Sequence, residues 1–516
     1  MQSQSLRAGN REAPFAISRV KFEALVGLLE SSVGMGMTHG ELETKLEADG
    51  RELLRQLLQD HLTLRGPGET DEPVVDDKGV TLTHSRLQTR SLVSLFGAVA
   101  VARMGYGKRG RDSLHPLDTA LHLPDTLYSQ GVERRLSEAV VFASFDAACA
   151  GLTKTTGLQV PKRQAEQIAL RAAEDFDEFY AARLASAPVA QAAGAILVLG
   201  FDGKGIRMRK EHLRDATRKK RGDRPAKLQR RLAKGEKLGQ KRMAQVATVY
   251  SIERFKREPE DIVRELDRKV TPIRPRPQAK RVWASVGQPA AKVIDDGFRE
   301  ALRRDPERKK PWVIVVDGNR AQLAAVRATA EQHQVSVEIV LDIFHVIEYL
   351  WRAAPAFTAE ATPECEAWVQ ERLLRILQGK ASHVAAGIRR SATLRRLKGW
   401  ARSSADKAAD YLLNNADFVH YDRYLAAGLP IASGAVEGAC RHLINDRLDV
   451  TGARWTVAGA EAVLRLRSLW ASGDIDDYWA FHEQRDFERT HQARYTGVPP
   501  RPKTAIAKPC RHLKLV

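Results

Sequence analysis

The fold of this chain is decided by two short apolar runs, AILVLGFDG at residues 195–203 and PWVIVVDGNRAQL at residues 311–323. Each run has the length and apolar character of a buried strand. The first ends near Asp202 and the second at Asp317. A carboxylate at such a place is costly unless it is paired, hydrogen-bonded or bound to metal. Because the strand ends of open sheets are where sites form, the runs predict an α/β domain with a functional edge.

The segments outside these two runs extend the same pattern. GIRMRK (205–210) is predicted to follow the first strand as the second arm of a hairpin, and QVATVYSIERF (245–255) is a further strand. VSVEIVLDIFHVIEYLWRAA (335–354) predicts a strand that runs directly into a helix. Residues 346–429 show no strand alternation and predict an all-helical block. After the turn at Ser433-Gly434, another helix carries Glu437.

Three acids are the candidate catalytic and metal-binding residues: Asp202, Asp317 and Glu437. Three hard oxygen ligands suit Mg²⁺ or Mn²⁺ and not zinc. Two such ions about 3.5–4 Å apart can clamp an in-line displacement at phosphorus. Taken singly, each acid has a simpler explanation, because Asp is favoured at turns and helix caps and a helical Glu is usually solvated. Their order and context carry the hypothesis.

Composition and charge narrow the class of protein. With 516 residues and 43% hydrophobic content, the chain predicts several domains. A net charge of +19 favours a polyanionic partner, with nucleic acid first, although some basic proteins simply carry excess Lys and Arg. The 4 cysteines are far apart, which argues against a zinc ribbon or disulfide framework and suits a reducing cytoplasm. No apolar signal core or membrane-length run occurs, so a cytoplasmic location without membrane contact is expected.

Two basic features are candidate DNA contacts. Residues 137–178 read as a helix, a Thr-Thr-Gly turn and a second helix opened by Pro161, which predicts a helix-turn-helix with Lys162 and Arg163 at its front. An ordinary helical hairpin is the alternative. The strongly basic run 207–242 contains Lys219, Lys220 and Arg221 and is expected to contact the DNA backbone. Its alternative is a solvated charged face. Residues 88–106 predict a β-hairpin.

The motifs together resemble an insertion-sequence transposase of the ISKra-like group, related to the Mutator-like DDE transposases. The resemblance rests on these stretches, which occur in family order: FDGKGIRMRK, KRMAQVATVYSI, VVDGNRAQL, LDIFHVIEYLW, GLPIASGAVEGACRHLINDRL and GARWT. PLDTALHLPDTLYSQGVERRLSEA at residues 116–139 is also similar to the group. Each piece is short, but the combination covers most of the chain.

The resemblance implies a fold and a site. It implies an α/β ribonuclease-H-like catalytic domain with an all-α insertion, preceded by a mainly α N-terminal DNA-binding region. The family's DDE acids fall on Asp202, Asp317 and Glu437, and an acid-x-x-His signature falls on Asp342 and His345. The expected domains are a DNA-binding region at 1–190, the catalytic domain at 191–345 and 430–475, the insertion at 346–429 and a polar tail at 476–516.

The resemblance also implies an activity and partners. The protein is expected to bind the terminal inverted repeats of an insertion sequence, cleave phosphodiesters with two Mg²⁺ or Mn²⁺ ions, and transfer the 3′-OH strands to target DNA as a dimer or larger assembly. A catalytically inactive or domesticated DNA-binding protein, or a ribonuclease-H-like nuclease without strand transfer, are the alternatives.

Arg454 and Trp455 follow the Glu437 helix and are candidate accessory residues. They are candidates for contact with distorted DNA, by charge and by stacking. The alternative for Trp455 is a place in the core, because large aromatic side chains are usually buried.

Overall fold

The computed structural model describes residues 14–186, 194–222, 240–266, 273–450 and 452–503, without the side chains of 219–222 and 264–266. The chain divides into two compact units. One consists of Met1–Asp175 with Asp476–Val516, and the other is Phe176–Ile475.

The first unit is mainly helical. It begins with the elements α1 (Ala16–Glu30), α2 (Ser32–Met35), α3 (His39–Arg65), β1 (His84–Ser94), β2 (Gly97–Gly107), α4 (Pro116–Ala120), α5 (Gln130–Phe142), α6 (Phe145–Thr156) and α7 (Lys162–Ala172). Strands β1 and β2 pair antiparallel from His84–Gly107 to Ser94–Gly97, which confirms the predicted hairpin. Its buried residues pack into one cluster with α4 and the residues that follow: Leu92, Val99, Val101, Leu117 and Leu123.

The helix predicted ahead of the Thr-Thr-Gly turn is two helices, α5 and α6. The chain is extended at Ala143 and Ser144, and the Ser144 side chain accepts a hydrogen bond from the backbone N–H of Ala147. Serine in this position caps the start of a helix. Gly157 then ends α6 in the left-handed conformation, and α7 begins after Pro161 as predicted.

The second unit is a mixed α/β fold. Its elements are α8 (Phe176–Ala185), β3 (Ile196–Arg207), α9 (Asp215–Gly222), β4 (Lys241–Ile252), α10 (Pro259–Leu266), β5 (Gln278–Ser285), α11 (Ala290–Arg304), β6 (Trp312–Val316), α12 (Arg320–Gln332), β7 (Val337–Leu341), α13 (Ile343–Ala353), α14 (Pro363–Leu377), α15 (Ala381–Leu394), α16 (Gly399–Asn414), α17 (Tyr421–Ala426), α18 (Gly434–Cys440) and α19 (Val457–Ser472).

Five strands form one sheet in the order β5-β4-β3-β6-β7. Strands β3, β4 and β5 pair antiparallel, whereas β6 and β7 add to β3 in parallel. β3 is the central strand and is buried from Ile196 to Phe201. Such complete burial is why its sequence reads as a continuous apolar run.

The prediction that the first strand ends near Asp202 and turns into a hairpin arm at GIRMRK is wrong. β3 continues without a break to Arg207, and all its residues pair with β4. Gly203 and Gly205 lie within the strand rather than in a turn. A Cβ atom at Gly205 would lie 2.9 Å from Lys241 Cδ, so glycine there allows close approach of the neighbouring strand's side chain.

Helices cover both faces of the sheet. A Cβ atom at Gly200 would lie 3.1 Å from Val436 of α18, whereas the Phe201 ring lies against Gly297 of α11. Successive residues of a strand point to opposite faces. Helix α18 therefore packs on the face to which Gly200 and Asp202 point, and α11 packs on the other.

An ionic cluster ties α11 to the sheet edge. Glu300 is 2% exposed and lies 3.0 Å from Arg281 of β5, while Arg303 and Arg304 of its own helix bind the same carboxylate. Burial alone would raise the pKa of Glu300, but the charge of Arg281 and the hydrogen bonds from Arg303 outweigh it and hold the pKa at about 2. The guanidinium of Arg281 also lies 3.5 Å from the Tyr180 ring centroid.

The interval 346–429, predicted to be all-helical, contains helices and no strand among its residues, all of which are described. The predicted polar tail differs from the structure. It starts as a further helix, α20 (Ile475–Thr490), that buries Tyr478, Trp479 and His482 in the first unit. None of the helices in the described part of the chain combines the length and apolar character needed to cross a membrane.

Candidate active site

Asp202 lies in the middle of β3 and is half-buried. Its Oδ1 accepts a hydrogen bond from the backbone N–H of Gly203 at 2.6 Å, and its Oδ2 accepts one from the thiol of Cys440 at 3.1 Å. The thiol comes from α18, the helix that also carries Glu437. The hydrogen bond therefore links the central strand directly to the helix of the third acid.

Asp317 follows the last residue of β6, as predicted. Its Oδ1 accepts a hydrogen bond from Asn319 N at 2.8 Å, and Asn319 caps α12. Between them Gly318 has φ +84°, and a Cβ atom there would lie 3.0 Å from Asn415 Oδ1. Both the left-handed backbone and the close approach favour glycine. Asp317 is thus held on a turn with a defined geometry.

Asp342 is fully buried at the start of α13. Its Oδ1 accepts hydrogen bonds from Phe344 N and Ser433 N, at 3.2 and 3.1 Å. Its Oδ2 accepts from Ser433 Oγ at 2.7 Å and from His345 Nδ1 at 2.8 Å. Since a carboxylate only accepts, the proton of the last bond lies on His345 Nδ1. Four donors leave Asp342 little capacity for a further ligand.

His345 is the partner that Asp342 orients. The hydrogen bond with Asp342 raises the pKa of His345, partial burial of the ring opposes that shift, and the negative charges of Asp342 and Asp317 add to it. Because Nδ1 is engaged, Nε2 is the ring nitrogen left for another partner. The predicted acid-x-x-His pair is therefore one hydrogen-bonded group in the structure.

Glu437 lies on α18, and its residue as a whole is exposed. Partial burial of the Glu437 carboxyl raises its pKa, and the negative charges of Asp342 and Asp202 raise it further. The positive charges of His345 and Lys204 lower the pKa and only partly offset this. A carboxyl whose ionised form is disfavoured by neighbouring acids is well suited to bind a cation, which would relieve the repulsion.

The three predicted acids do not form the tightest group. Among the described residues, ligand atoms of Asp342, His345 and Glu437 lie within 4.8 Å of one another, a spacing at which they could hold a metal ion. Asp202 and Asp317 fall outside that spacing but act electrostatically on Glu437 and His345, respectively. All five residues therefore belong to one cluster on the second unit.

A second group with metal-binding spacing lies in the first unit: Glu174, Asp175 and His482. Arg489 binds it, with Nη1 2.8 Å from Asp175 Oδ1 and Nη2 on Glu174, and His482 Nδ1 lies 2.6 Å from Asp175 Oδ2. A guanidinium already supplies the positive charge that a cation would bring. We interpret this group as an ionic link between α20 and the end of the preceding helical region.

Cys440 and Ser433 are site residues that the sequence analysis did not propose. Cys440 follows Glu437 by one helical turn, a spacing that places both on one face of α18. Burial raises the pKa of the Cys440 thiol, as does the charge of Asp202. The sequence indicates only a turn at Ser433, although this residue supplies two of the four hydrogen bonds to Asp342.

Trp455 lies in the core, the alternative considered for it. The side chain is 8% exposed, and its Nε1 donates to the carbonyl of Leu448 at 3.0 Å. Its backbone forms a bridge to Met208, just beyond β3, and Arg447 lies 5.0 Å from its ring centroid. This packing does not support stacking on DNA. Arg454 is exposed.

The predicted DNA contacts are exposed where they are described. Lys162 and Arg163 open α7, and Lys162 Nζ lies 2.6 Å from Asp146 of α6. Up to Gly222, the backbone of the basic run comprises the end of β3, a 3-10 helix (Lys210–His212) and α9. Residues 223–239 and the side chains of Lys219, Lys220 and Arg221 lie outside the described residues.

In comparisons with known proteins, no protein-family model and no curated protein matches the chain.

Proposed function

We propose that this chain is a DDE transposase that cleaves DNA phosphodiesters at the ends of an insertion sequence and transfers the 3′-OH strands to target DNA. The observation that carries the proposal is the gathering of Asp202, Asp317, Asp342, His345 and Glu437 from four distant segments into one electrostatically coupled cluster. Acids that lie close enough to shift each other's pKa values are characteristic of functional sites.

The sheet supports the same proposal. Its first three strands form an antiparallel meander, and the fourth and fifth join beside the first in parallel. This is the topology expected of a ribonuclease-H-like domain. The helices between β7 and α18 stand where the resemblance to ISKra-like transposases implies an insertion.

In this proposal Asp202, Asp317 and Glu437 would hold Mg²⁺ or Mn²⁺, although of the three only Glu437 belongs to the group whose ligand atoms lie within 4.8 Å of one another. Their donors are carboxylate oxygens, which hard cations prefer. Asp202 accepts one hydrogen bond on each oxygen, so lone pairs remain on both. Two ions bound there would activate the attacking oxygen and stabilise the leaving oxygen of an in-line displacement.

The remaining residues of the cluster would position the reacting groups and neutralise charge on the phosphate. Asp342 fixes the ring of His345 and favours its charged form. In this proposal the imidazolium holds a non-bridging phosphate oxygen close to the acids, where its charge offsets the charge that builds up during displacement. The hydrogen bond from Cys440 keeps the Asp202 carboxylate turned toward α18.

The DNA partner is proposed on charge. The net charge of +19 matches a polyanion, and Lys162, Arg163 and the run 207–242 are the proposed contacts. Because two element ends must be joined in one reaction, we expect a dimer or larger assembly on DNA.

The test is a cleavage and strand-transfer assay with the full chain, Mg²⁺ or Mn²⁺, and labelled duplexes taken from the DNA on both sides of the coding region. Asp202→Asn, Asp317→Asn and Glu437→Gln should each reduce cleavage to background, since an amide keeps the shape but loses the charge that holds the ions. Binding to the same duplexes, measured by electrophoretic mobility, should stay within a few-fold of the wild type.

The matched control is Glu364→Gln, an exposed acid of α14, which should cleave normally. Cleavage that survives in any one of the three variants removes that residue from the site. Cutting without joined products would identify a nuclease without strand transfer. Binding without cutting in either metal would identify a DNA-binding protein.

A further inference from the structure

A cleft of about 410 Å³ opens on the second unit next to the acid cluster. Its walls come from the end of β4 and the residues beyond it, from the segment after residue 273, from α13 and from the loop before α18. The lining residues that matter here are Ile252, Phe255, Arg274, Phe344, Ile431 and Gly434. Its volume lies within the range of about 300–1,000 Å³ in which proteins hold small organic groups.

The cleft and the acid cluster share their supporting elements. Phe344 directly precedes His345 in the chain, and its backbone N–H donates to Asp342. Gly434 and Ala435 line the cleft and begin the helix that carries Glu437. A molecule held at the acids could therefore place an attached group in the cleft.

The lining combines flat apolar surfaces with positive charge. Phe344 is 47% exposed although it is aromatic, and Phe255 is half-buried with the Arg257 guanidinium 5.2 Å from its ring centroid. Arg257 and Arg274 outnumber the single lining acid, Glu253. Aromatic rings bordered by arginines suit a planar heterocycle joined to a phosphate.

The wall that holds Phe255 is built to a fixed geometry. Its backbone N–H donates to the carbonyl of Gly428 at 3.0 Å, and Arg257 Nη2 donates to the carbonyl of Leu429 at 2.8 Å. Gly428 has φ +72°, and a Cβ atom there would lie 2.8 Å from Phe255 N. Only glycine fits this approach without strain, so the cleft is preformed by backbone contacts.

We propose that this cleft takes one unstacked nucleobase of the DNA strand whose phosphate lies at the acid cluster, with Phe344 as the stacking surface. This inference rests on the proposed function for its ligand class, DNA. In this proposal the exposed Phe344, and not the buried Trp455, makes the stacking contact with DNA.

The test compares binding of two DNA probes to the full chain in Ca²⁺, so that no cleavage is needed. One probe is a plain duplex, and the other carries a single unpaired 2-aminopurine beside the expected cleavage position. The wild type should prefer the second probe, and its fluorescence should rise as the base leaves the stack. Phe344→Ala should lose about 5- to 150-fold in affinity for that probe, the effect expected for one stacked base, and should change affinity for the plain duplex little.

Phe344→Trp should restore the preference, and Trp400→Ala, which removes another exposed aromatic ring from the same unit, should leave it unchanged. Equal affinity of the wild type for both probes would overturn the inference, as would an unchanged preference in Phe344→Ala. The proposed function fails separately, by absence of cleavage in Mg²⁺ and Mn²⁺. A Phe344-dependent preference without cleavage would leave the base site standing in a DNA-binding protein.

Discussion

Asp342 shows how a single buried residue organises the candidate site. It lies in the chain only three residues before His345, yet Ser433, some ninety residues later, supplies half of its hydrogen bonds. The local contact could be expected from an acid-x-x-His spacing on one helix turn. The distant contact depends on how the loop before α18 returns to the sheet, which no local pattern encodes.

At this scale we predict that Asp342→Asn lowers the pKa of His345 toward or below its ordinary value of about 6.5. The hydrogen-bonded charge that raises it would be gone, and the burial that lowers it would remain. An NMR titration of labelled histidine in metal-free protein measures the change.

The raised pKa of His345 also determines how its stabilising contribution changes with pH. A raised pKa in the folded protein contributes stability that is fully present below the unfolded pKa and is lost as pH rises through the folded one. The wild type should lose that contribution above about pH 6.5, and Asp342→Asn should not. Asp406→Asn, in a surface pair with Arg402, serves as the control. A His345 pKa that is the same in wild type and Asp342→Asn would disprove the orienting role.

At the scale of elements, α11 is held to β5 through the Glu300 carboxylate, which binds Arg281 of β5 as well as Arg303 and Arg304 of its own helix. We predict that Glu300→Gln destabilises the protein by about 3–5 kcal/mol, because it leaves buried guanidinium groups without their counter-charge. Urea unfolding at pH 7 measures the difference. Glu307→Gln, which breaks an exposed pair with Lys309, should change the free energy of unfolding far less, because water already screens that pair.

The stabilisation contributed by Glu300 should depend on pH. The pKa of Glu300 is depressed to about 2, so its contribution is present above the unfolded value near 4.3 and is lost as pH falls toward 2. The difference between wild type and Glu300→Gln should therefore shrink when unfolding is repeated below about pH 4. A difference that stayed constant down to pH 2.5 would mean that packing, rather than charge, holds the helix.

The elements themselves were predictable where periodicity is strong. The buried strands at 196–201 and 312–316, the N-terminal hairpin and the helices between 346 and 429 follow from apolar patterns alone. The continuation of β3 past Asp202 did not, because Gly203 and Gly205 signal a turn unless the neighbouring strand that crowds them is known. The break between α5 and α6 was visible only as a capping serine, Ser144.

At the scale of the whole molecule, positive charge is the property that the sequence predicts most directly, and the basic run concentrates it. We predict that Lys219, Lys220 and Arg221 changed together to Ala weaken binding to cognate and random duplexes alike. The log–log dependence on salt should become shallower by up to about one unit for each lost phosphate contact. Filter binding over a salt series measures both effects.

A matched control removes the same charge elsewhere. Arg390, Lys398 and Lys407 are exposed on the helical block and, changed together to Ala, should alter the salt dependence less. Loss of cognate binding alone, with random binding and salt slope unchanged, would make the run a reader of sequence.

In the sequence, the second unit lies between the two segments of the first, and this order affects how the protein folds during synthesis on the ribosome. The first unit receives α20 only after the whole second unit has been synthesised, and the helix with Glu437 is among the last elements of that second unit. At about 5–20 residues per second, a nascent chain spends most of its synthesis with neither unit complete. Any product of premature termination before residue 437 lacks both the Glu437 carboxylate and α20, so it has neither the complete acid cluster nor a complete first unit.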